Sequence, residues 1–530
     1  MNSLKVLISD ALSEAGINIL KENPIYEVDV KLGLSLDELK SIIRNYDALI
    51  IRSGTQVTED IIKNADKLKI IGRAGVGIDN VDVTAASKRG IVVMNTPGGN
   101  TISAAEHTMS MMLALARNIP MADASLKNKE WKRSKFTGTE IYGKTLGVIG
   151  FGKIGFEVAK RARSFEMNVL VYDPFATEEQ AEKLNAKIVD LDFLIKNSDF
   201  ITLHIPKTKD TENLINKDSI SKMKDGVRII NVARGGIINE QDLADAIKTG
   251  KVKGAAIDVF VSEPCLDSPL FDVSGVVVTP HLGASTEEAQ INVAIDIVKQ
   301  IRDYFENSEI KNAVNVSFFP AEILKQLKPF ITLAEKIGIL ESTLLKDKSG
   351  IKEVEIRYAG DISEKSVSPI TVGFLKGLLQ SVEEHVNSVN ASFFAKERGI
   401  KVKEIKVNKV DDIINLLTLK IKTNKEEILV SGTVFHEGNI RIIKINDYNV
   451  DLSPFGNIII SKNEDIPGVV GKLGTKLAEV GINISNMQVS TSKKDNKALM
   501  LTSIDKEISQ YILEKLKNIK EIEQVQFIVL

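Results

Sequence analysis

Several things are scarce in this chain, and each scarcity removes a class of protein. Cys265 is the one cysteine in 530 residues, so no disulfide can form within the chain. A reducing compartment is expected, and the cytoplasm fits. Charge of one sign is missing too: 69 Lys and Arg stand against 71 Asp and Glu, a net of −2. That balance offers neither nucleic acid nor a membrane surface an electrostatic footprint, so neither is an expected partner. No apolar run approaches the roughly 18 residues that a membrane span needs. Residues 1–10 lead straight into a strand, with no basic segment followed by an apolar stretch, so no signal peptide is expected. The five histidines and the one cysteine show no metal-ligand spacing, no metal is expected, and no serine nucleophile elbow occurs. The one tryptophan, Trp131, lies among Lys129, Lys132, Arg133 and Lys135, a stretch that reads as a solvated loop or a subunit contact. What remains is ordinary: 43% hydrophobic and 26% charged residues, in a length that allows three or four globular domains.

The most informative stretch is Lys144-Thr-Leu-Gly-Val-Ile-Gly150-Phe-Gly152-Lys-Ile-Gly155. Thr145 to Ile149 is a short β-branched run that reads as a buried strand. Val158, Ala159 and Ala162 recur behind the glycines at helical spacing. Strand, G-x-G-x-x-G, helix is the arrangement that seats a dinucleotide. Gly150 permits the tight turn, Gly152 lets the backbone approach the pyrophosphate, and Gly155 lets helix and strand pack closely. A second strand, Asn168 to Tyr172, ends in Asp173, roughly twenty residues on, where an acid bridges ribose hydroxyls. Pro174 and Phe175 follow, with no arginine to receive a 2′-phosphate, so the expected cofactor is NAD rather than NADP.

Before this motif, residues 1–97 alternate strands and helices. Strand candidates are Lys5–Ser9, Tyr26–Val30, Ala48–Ile51, Lys69–Gly72 and Ile91–Met94, a pattern that predicts a parallel sheet covered on both faces. Arg52 and Arg73 follow two of these strands, at the edge where open α/β sheets bind ligands. Position alone leaves two readings open, ligand contacts or solvated surface charges. Asn95-Thr-Pro-Gly-Gly-Asn100-Thr101 reads as a hinge. The helix after it, Ile102–Ala116, is rich in small residues and methionine, which suggests a dry interface between domains or subunits. His107 in that helix reads as structural.

After Asp173, strands are expected at Ile201–Ile205, Val227–Val232, Lys253–Ile257 and Val276–Thr279, with His204 inside the first. Three residues near the ends of these strands form a set. Arg234, among glycines, can fork onto a carboxylate or polarise a carbonyl. His281, between Pro280 and Gly283, can take a hydroxyl proton while hydride leaves the same carbon. Glu263 in Ser262-Glu-Pro264 can hold the other ring nitrogen and favour the charged imidazolium. Cys265 beside it reads as packing. The other two histidines, His385 and His436, lie far downstream. The helix from Ser285 to Phe305 leaves this unit and is expected to return to the first, making 1–97 and 288–317 one discontinuous domain around a dinucleotide domain at 98–287.

The glycine motif together with Asn231-Val-Ala-Arg-Gly-Gly236, Ser262-Glu-Pro264 and Pro280-His281-Leu-Gly-Ala-Ser-Thr286 resembles the D-isomer-specific 2-hydroxyacid dehydrogenases. Arg73–Asn80, Asn95–Thr101 and the Trp131–Gly143 segment resemble the members that oxidise 3-phospho-D-glycerate to 3-phosphooxypyruvate with NAD, the entry to L-serine biosynthesis. The resemblance covers essentially the whole chain. It implies Arg234, Glu263 and His281 as catalytic residues. It implies cofactor contacts from Val76, Lys153, Ile154, Asp173, Ile205, Val232, Ala233, Asp258, Gly283 and Ala284, besides the three motif glycines. It implies Arg52, Arg73 and Asn100 as substrate contacts. Ile205 departs from the hydroxyl residue the family often has there; a backbone contact survives the change and a side-chain hydrogen bond does not. Two other readings compete: a sister dehydrogenase acting on glycerate, glyoxylate or D-lactate, and a non-enzymatic NAD-sensing binding protein. The first does not require Arg52 and Arg73 together, and the second requires partner motifs that are not found.

The tail has no dehydrogenase chemistry of its own. Residues 318–452 end in two alternating runs, Glu427–Phe435 and Asn439–Ile445, that read as paired strands. This part resembles the intervening domain of the long family members, its effector left open. Residues 457–530 read βαββαβ, with strands at Asn457–Ser461, Asn483–Ser490, Ala498–Ile504 and Gln524–Leu530 and helices at Gly468–Val480 and Ile508–Lys517. Asn463-Glu-Asp465-Ile-Pro-Gly468 and Gly481-Ile-Asn483-Ile resemble an ACT domain, which implies Asp465 and Asn483 as contacts to an amino acid held between paired domains. L-serine is the implied effector, with a ligand-free dimerisation module as the alternative, and a homotetramer is expected. The expected fold is α/β: two Rossmann/flavodoxin-like doubly wound domains, an α+β intervening domain and a C-terminal ferredoxin-like ACT domain.

Overall fold

The computed structural model describes residues 3–530 except 308, 317–320, 347–349, 384–385, 409–413 and 493–495. His385 and the expected boundary at 317/318 therefore lie outside the described residues. Four sheets organise the rest.

The first is a five-stranded parallel sheet of β1 (Leu4–Ile8), β2 (Tyr26–Val30), β3 (Ala48–Ile51), β4 (Ile70–Arg73) and β5 (Val92–Met94), ordered β2-β1-β3-β4-β5. Ala48–Ile51 is buried at every position, as a strand covered on both faces must be. The helix Glu287–Asn307 lies across one of those faces. Its Val293, Ile297, Val298 and Ile301 share one apolar core with Val6, Ile8, Ile50 and Ile70.

The second is a seven-stranded parallel sheet built from β6 (Thr145–Ile149), β7 (Asn168–Tyr172), β8 (Lys187–Ile188), β9 (Phe200–Leu203), β10 (Val227–Asn231), β11 (Val252–Ile257) and β12 (Val276–Val278). Its order, β12-β11-β10-β9-β6-β7-β8, reverses beside β6, and the crevice at that switch point lies over the glycine motif. Here the expectation for the methionine-rich helix is corrected. The helix Thr101–Ala116 buries Met109, Met111, Met112 and Leu115 in the same core as Leu146, Val148, Ala159 and Ala162. Small alanines on the neighbouring helix leave room for the flexible thioethers, so this face packs inside the dinucleotide-binding unit. The strand expected over Ile201–Ile205 ends at Leu203, leaving His204 and Ile205 in the loop beyond it.

The third sheet has six strands in the order β14 (Lys401–Val407), β13 (Glu353–Gly360), β15 (Asn415–Lys422), β16 (Glu427–Val434), β17 (Ile440–Ile445) and β18 (Tyr448–Leu452). β16 and β17 pair antiparallel from Val430↔Ile445 to Val434↔Ile440. Two long helices, Ala321–Leu344 and Ser368–Leu379, cover the sheet and bring it the core residues Leu333, Ile337, Leu340 and Phe374. The fourth sheet, β20 (Ile484–Thr491), β21 (Lys497–Ile504), β19 (Asn457–Glu464) and β22 (Ile522–Val529), is fully antiparallel. Its helices Val469–Glu479 and Gln510–Lys517 cover one face through Leu473, Leu477 and Leu516. The opposite face, through Ile458, Ile460, Leu499 and Leu501, joins the core of the third sheet. No helix among the described residues is long and apolar enough to cross a membrane.

Candidate active site

The glycine motif forms a cradle. Gly150 adopts φ +94°, in the left-handed region, and donates its N–H to the Tyr172 carbonyl at 2.8 Å. A Cβ there would overlap the His204 carbonyl. A Cβ on Gly155 would overlap the Gly150 carbonyl, so the helix packs onto the turn only because that side chain is absent. Gly152, by contrast, faces open space and caps the helix Lys153–Ser164, whose first N–H groups have no side-chain partner. An open, positively polarised helix end beside bare backbone fits a pyrophosphate. Asp173 completes the cradle. Its Oδ2 accepts from the Phe151 N–H at 2.6 Å and its Oδ1 from the Phe175 N–H at 2.7 Å, which orients the carboxylate at the end of β7. Ile205 packs its Cγ2 toward Gly150, and Ile154 and Val232 pack against the core under the cradle. The residues present therefore fit NAD.

Across the crevice, arginines converge. Arg73 is the last residue of β4 rather than part of the loop after it. Burial pushes its guanidinium down to about 10, assisted by the like charges of Arg234 and Arg52 and opposed by Asp79. Its Nε is buried without a hydrogen-bond partner, as is Asn100 Oδ1 at the start of the helix Thr101–Ala116. Arg234 reaches over from the second sheet and donates from Nε to Asp79 Oδ2 at 3.1 Å. Gly75 and Gly77 make this possible, because a Cβ on either would overlap the Arg73 or Arg234 guanidinium. The backbone of Val76 between them is held by Asn95, whose Nδ2 donates to the Val76 carbonyl at 2.6 Å. Arg52 is fixed at its backbone by Asp10, which accepts the Arg52 N–H at 2.6 Å and the Thr55 N–H at 3.1 Å. Lys153 extends toward Gly98 from the other wall. A half-buried cluster of cations with an unpartnered donor is suited to a small anion carrying carboxylate or phosphate groups.

The third component is His281. It lies on the loop after β12 at φ +55°, and its Nδ1 is 2.6 Å from Glu263 Oε2. Glu263 Oε1 accepts the Phe260 N–H at 3.0 Å, so both carboxylate oxygens are engaged. A carboxylate can only accept, which places the ring hydrogen on Nδ1 and leaves the Nε2 lone pair free. Beneath this pair, Asp258 is 0% exposed. Burial pushes its carboxyl up, but hydrogen bonds from His107, Thr279 and Leu282 outweigh burial and hold it below the ordinary carboxylate range. Gly283 also donates to it, at 2.9 Å, and half-buried Ala284 follows in the chain. The backbone of Ala233 is tied to Asn231 Oδ1 at 3.0 Å, which aims Arg234 out of the same sheet edge.

The structure adds Asp10, Asp79, His107 and Thr279 to the site. Asp79 shares a glycine-rich segment with Arg73, a usable local hint. Asp10 and His107 have none, since their partners lie 42 and 151 residues away. Asp465 and Asn483 are not brought together. Glu464 pairs level with Lys497, and Ile484 level with Ile504, so the two residues stand at opposite ends of β21.

Residues 109–283 match the D-isomer specific 2-hydroxyacid dehydrogenase, NAD binding domain. Among solved structures, a D-lactate dehydrogenase of Aquifex aeolicus complexed with NAD and lactic acid aligns with a TM-score of 0.52 and 28% identity, over 57% of this chain and 96% of its own. The TT0316 protein of Thermus thermophilus aligns at 0.55 and 32% identity, over 59% and 100%. Fold and cradle thus define an NAD-dependent oxidoreductase of the 2-hydroxyacid dehydrogenase class. Residues 326–446 match the D-3-phosphoglycerate dehydrogenase intervening domain, and residues 457–521 the ACT domain. D-3-phosphoglycerate dehydrogenases of Synechocystis and Archaeoglobus fulgidus are 46% and 45% identical, over 97% and 99% of this chain and 93% and 100% of their own. The chain belongs to the D-3-phosphoglycerate dehydrogenase family.

Proposed function

We propose that this chain oxidises 3-phospho-D-glycerate to 3-phosphooxypyruvate, with His281 as the base. The single observation that carries the reading is the His281–Glu263 pair, in a chain that also gathers Arg52, Arg73 and Arg234 around one another. Arg52, Arg73 and Asn100 hold the anionic groups of the substrate, and Arg234 grips the carboxylate and polarises the C2 oxygen. His281 Nε2 takes the C2 hydroxyl proton as hydride leaves C2 and the C–O bond becomes double. Glu263 then faces an imidazolium and stabilises it. Bound NAD supplies the hydride acceptor, and Asp173 selects it by repelling a 2′-phosphate. Lys153, Ile154 and the cradle glycines take the pyrophosphate side, and Val76, Ile205, Val232, Ala233, Asp258, Gly283 and Ala284 line the rest of the cofactor site.

Residues 1–97 with 288–317 form the substrate domain in this reading, 98–287 the NAD domain, 318–452 the intervening domain and 457–530 the ACT domain. Because Asp465 and Asn483 stand at opposite ends of one sheet, a single effector touches both only where two ACT domains pair about a two-fold axis. L-serine is the proposed effector, a homotetramer the proposed assembly and the cytoplasm the proposed location.

The test is NADH formation from 3-phosphoglycerate, D-glycerate and D-lactate, each with and without L-serine. A site built around an anion should prefer the phosphorylated acid by a factor on the order of 10⁴ in kcat/KM. Equal turnover of D-glycerate overturns the substrate reading. Activity indifferent to serine leaves the chemistry standing and removes the effector.

A further inference from the structure

One stripe of the helix Thr101–Ala116 touches several working parts of the site. Asn100, Ser103, His107 and Met111 follow one another at three- and four-residue steps and so share a face. Ser103 Oγ lies 2.7 Å from Thr286 Oγ1, at the start of the helix Glu287–Asn307. His107 Nε2 lies 3.2 Å from Thr279 Oγ1 and 3.3 Å from Asp258 Oδ1. Met111 Sδ is 3.7 Å from the same threonine hydroxyl.

The hydrogen directions can be assigned. The Asp258 carboxylate only accepts. Thr279 gives it the hydroxyl hydrogen at 2.5 Å, so the threonine oxygen is left to accept from His107, whose Nε2–H is shared between the two. Asp258 then receives the Leu282 N–H at 2.7 Å and the Gly283 N–H at 2.9 Å on its carboxylate, and the His281 N–H at 2.9 Å on its backbone carbonyl. Every residue from His281 to Gly283 is therefore tied to this one aspartate. His281 itself sits in the left-handed region at φ +55°, an uncommon conformation for a residue with a Cβ, and these ties hold it there. Among the described residues, His107 is the one side-chain donor that reaches this network from outside the β11–β12 edge.

We propose that His107 is a positioning residue for the reaction: by holding Asp258 and Thr279 it fixes the loop that aims His281 at the substrate. The inference rests on His281 being the base. It assigns a task to a histidine that local pattern marks only as part of a helix. It also explains why Asn100 and His107 share a face, since the helix carrying a proposed substrate contact then sets the position of the proton acceptor.

The test is steady-state kinetics of the full-length protein with NAD and either 3-phosphoglycerate or its C2-deuterated form. In His107→Gln the carboxamide N–H can stand where Nε2–H stood, and kcat should stay within about threefold of the parent. His107→Phe keeps the ring and loses the donor. A small misplacement of the reacting group costs up to about 10²-fold, so kcat should fall about 30- to 100-fold, with KM for 3-phosphoglycerate changed less than about threefold. The deuterium effect on kcat should rise, because the hydride step becomes slower, and a merely structural role would not move it. Thr279→Val removes the same anchor from the opposite side and should reproduce the pattern, which decides the matter if the phenylalanine variant does not fold. Unchanged kcat in Thr279→Val or His107→Phe overturns the proposal, as does equal loss in the glutamine and phenylalanine variants. His281→Ala in the same assay separates the two readings. If it still turns over, the base assignment fails; if it is inactive while His107→Phe is fully active, only the positioning role fails.

Discussion

Replacing Arg73 with methionine should improve the free protein and impair the enzyme. In the ligand-free chain this guanidinium is only partly compensated, by the charges of Asp79 and Asp10. Its Nε has no partner, and burial, with repulsion from Arg234 and Arg52 added, pushes it from its ordinary value down to about 10. At about 1.4 kcal/mol per pKa unit the charged form is disfavoured in the fold by on the order of 3 kcal/mol. Partial solvent screening reduces that to about 1–2 kcal/mol. Methionine keeps most of the stem and its packing while removing the charge. The thermal midpoint of free Arg73→Met should therefore be unchanged or higher than that of the parent, against the usual trend for point substitutions. With substrate the sign reverses. A charge-assisted contact to a carboxylate or phosphate contributes about 1.5–3 kcal/mol, so kcat/KM for 3-phosphoglycerate should fall about 10- to 150-fold, mostly through KM. Thermal unfolding with and without 3-phosphoglycerate, beside steady-state kinetics, measures both. Addition of the ligand should raise the midpoint of the parent and leave that of the variant nearly where it was. A midpoint several degrees lower with KM within about twofold would refute the reasoning, since Arg73 would then be a structural residue whose charge the fold already balances.

Two other perturbations test separate parts of the structure. Asp173→Ser removes the carboxylate that accepts the Phe151 and Phe175 N–H groups and would repel a 2′-phosphate. The preference for NAD over NADP, measured as the ratio of kcat/KM values, should drop by at least about tenfold, and an unchanged ratio would place the discrimination elsewhere. Glu341, on the helix Ala321–Leu344, is 0% exposed and neither of its oxygens has a well-formed hydrogen bond. Burial pushes its carboxyl well above the usual range, against a smaller opposing pull from the Val430 backbone. The folded chain therefore keeps a proton that the unfolded chain loses, and stability falls as pH rises above the ordinary glutamate range, by up to about 1.4 kcal/mol per unit. Glu341→Gln removes that slope, so its midpoint relative to the parent should climb between pH 5 and pH 8; a pH-independent difference would mean that Glu341 is ionised in the fold.

Much of the architecture is written in local pattern. The β-branched runs at Ala48–Ile51 and Thr145–Ile149 are strands because nothing but a two-sided burial suits four or five consecutive apolar residues of that length. The glycine motif is equally legible, since steric exclusion at Gly150 and Gly155 acts within a few residues of chain. Strand ends were displaced by a residue or two, as at Leu203 and Arg73, because a ladder stops where its neighbours stop and not where apolar residues do. The two-residue strand Lys187–Ile188 carries too little pattern to be seen and exists only because β7 offers an edge.

By itself, the sequence determined the cradle, the order of the strands' chemistry-bearing ends and the resemblance that joins them, all of which depend on residue type at short spacing. Tertiary structure alone decided which side chains meet. Arg234 finds Asp79 across 155 residues and His107 finds Asp258 across 151, distances over which no periodicity survives. It also turned the methionine face of the helix Thr101–Ala116 inward, onto alanines that only folding brings beneath it. The physical reason is the same throughout: backbone sterics and capping act along the chain, whereas burial, charge pairing and the aim of the His281 ring depend on neighbours the chain reaches only when it closes on itself.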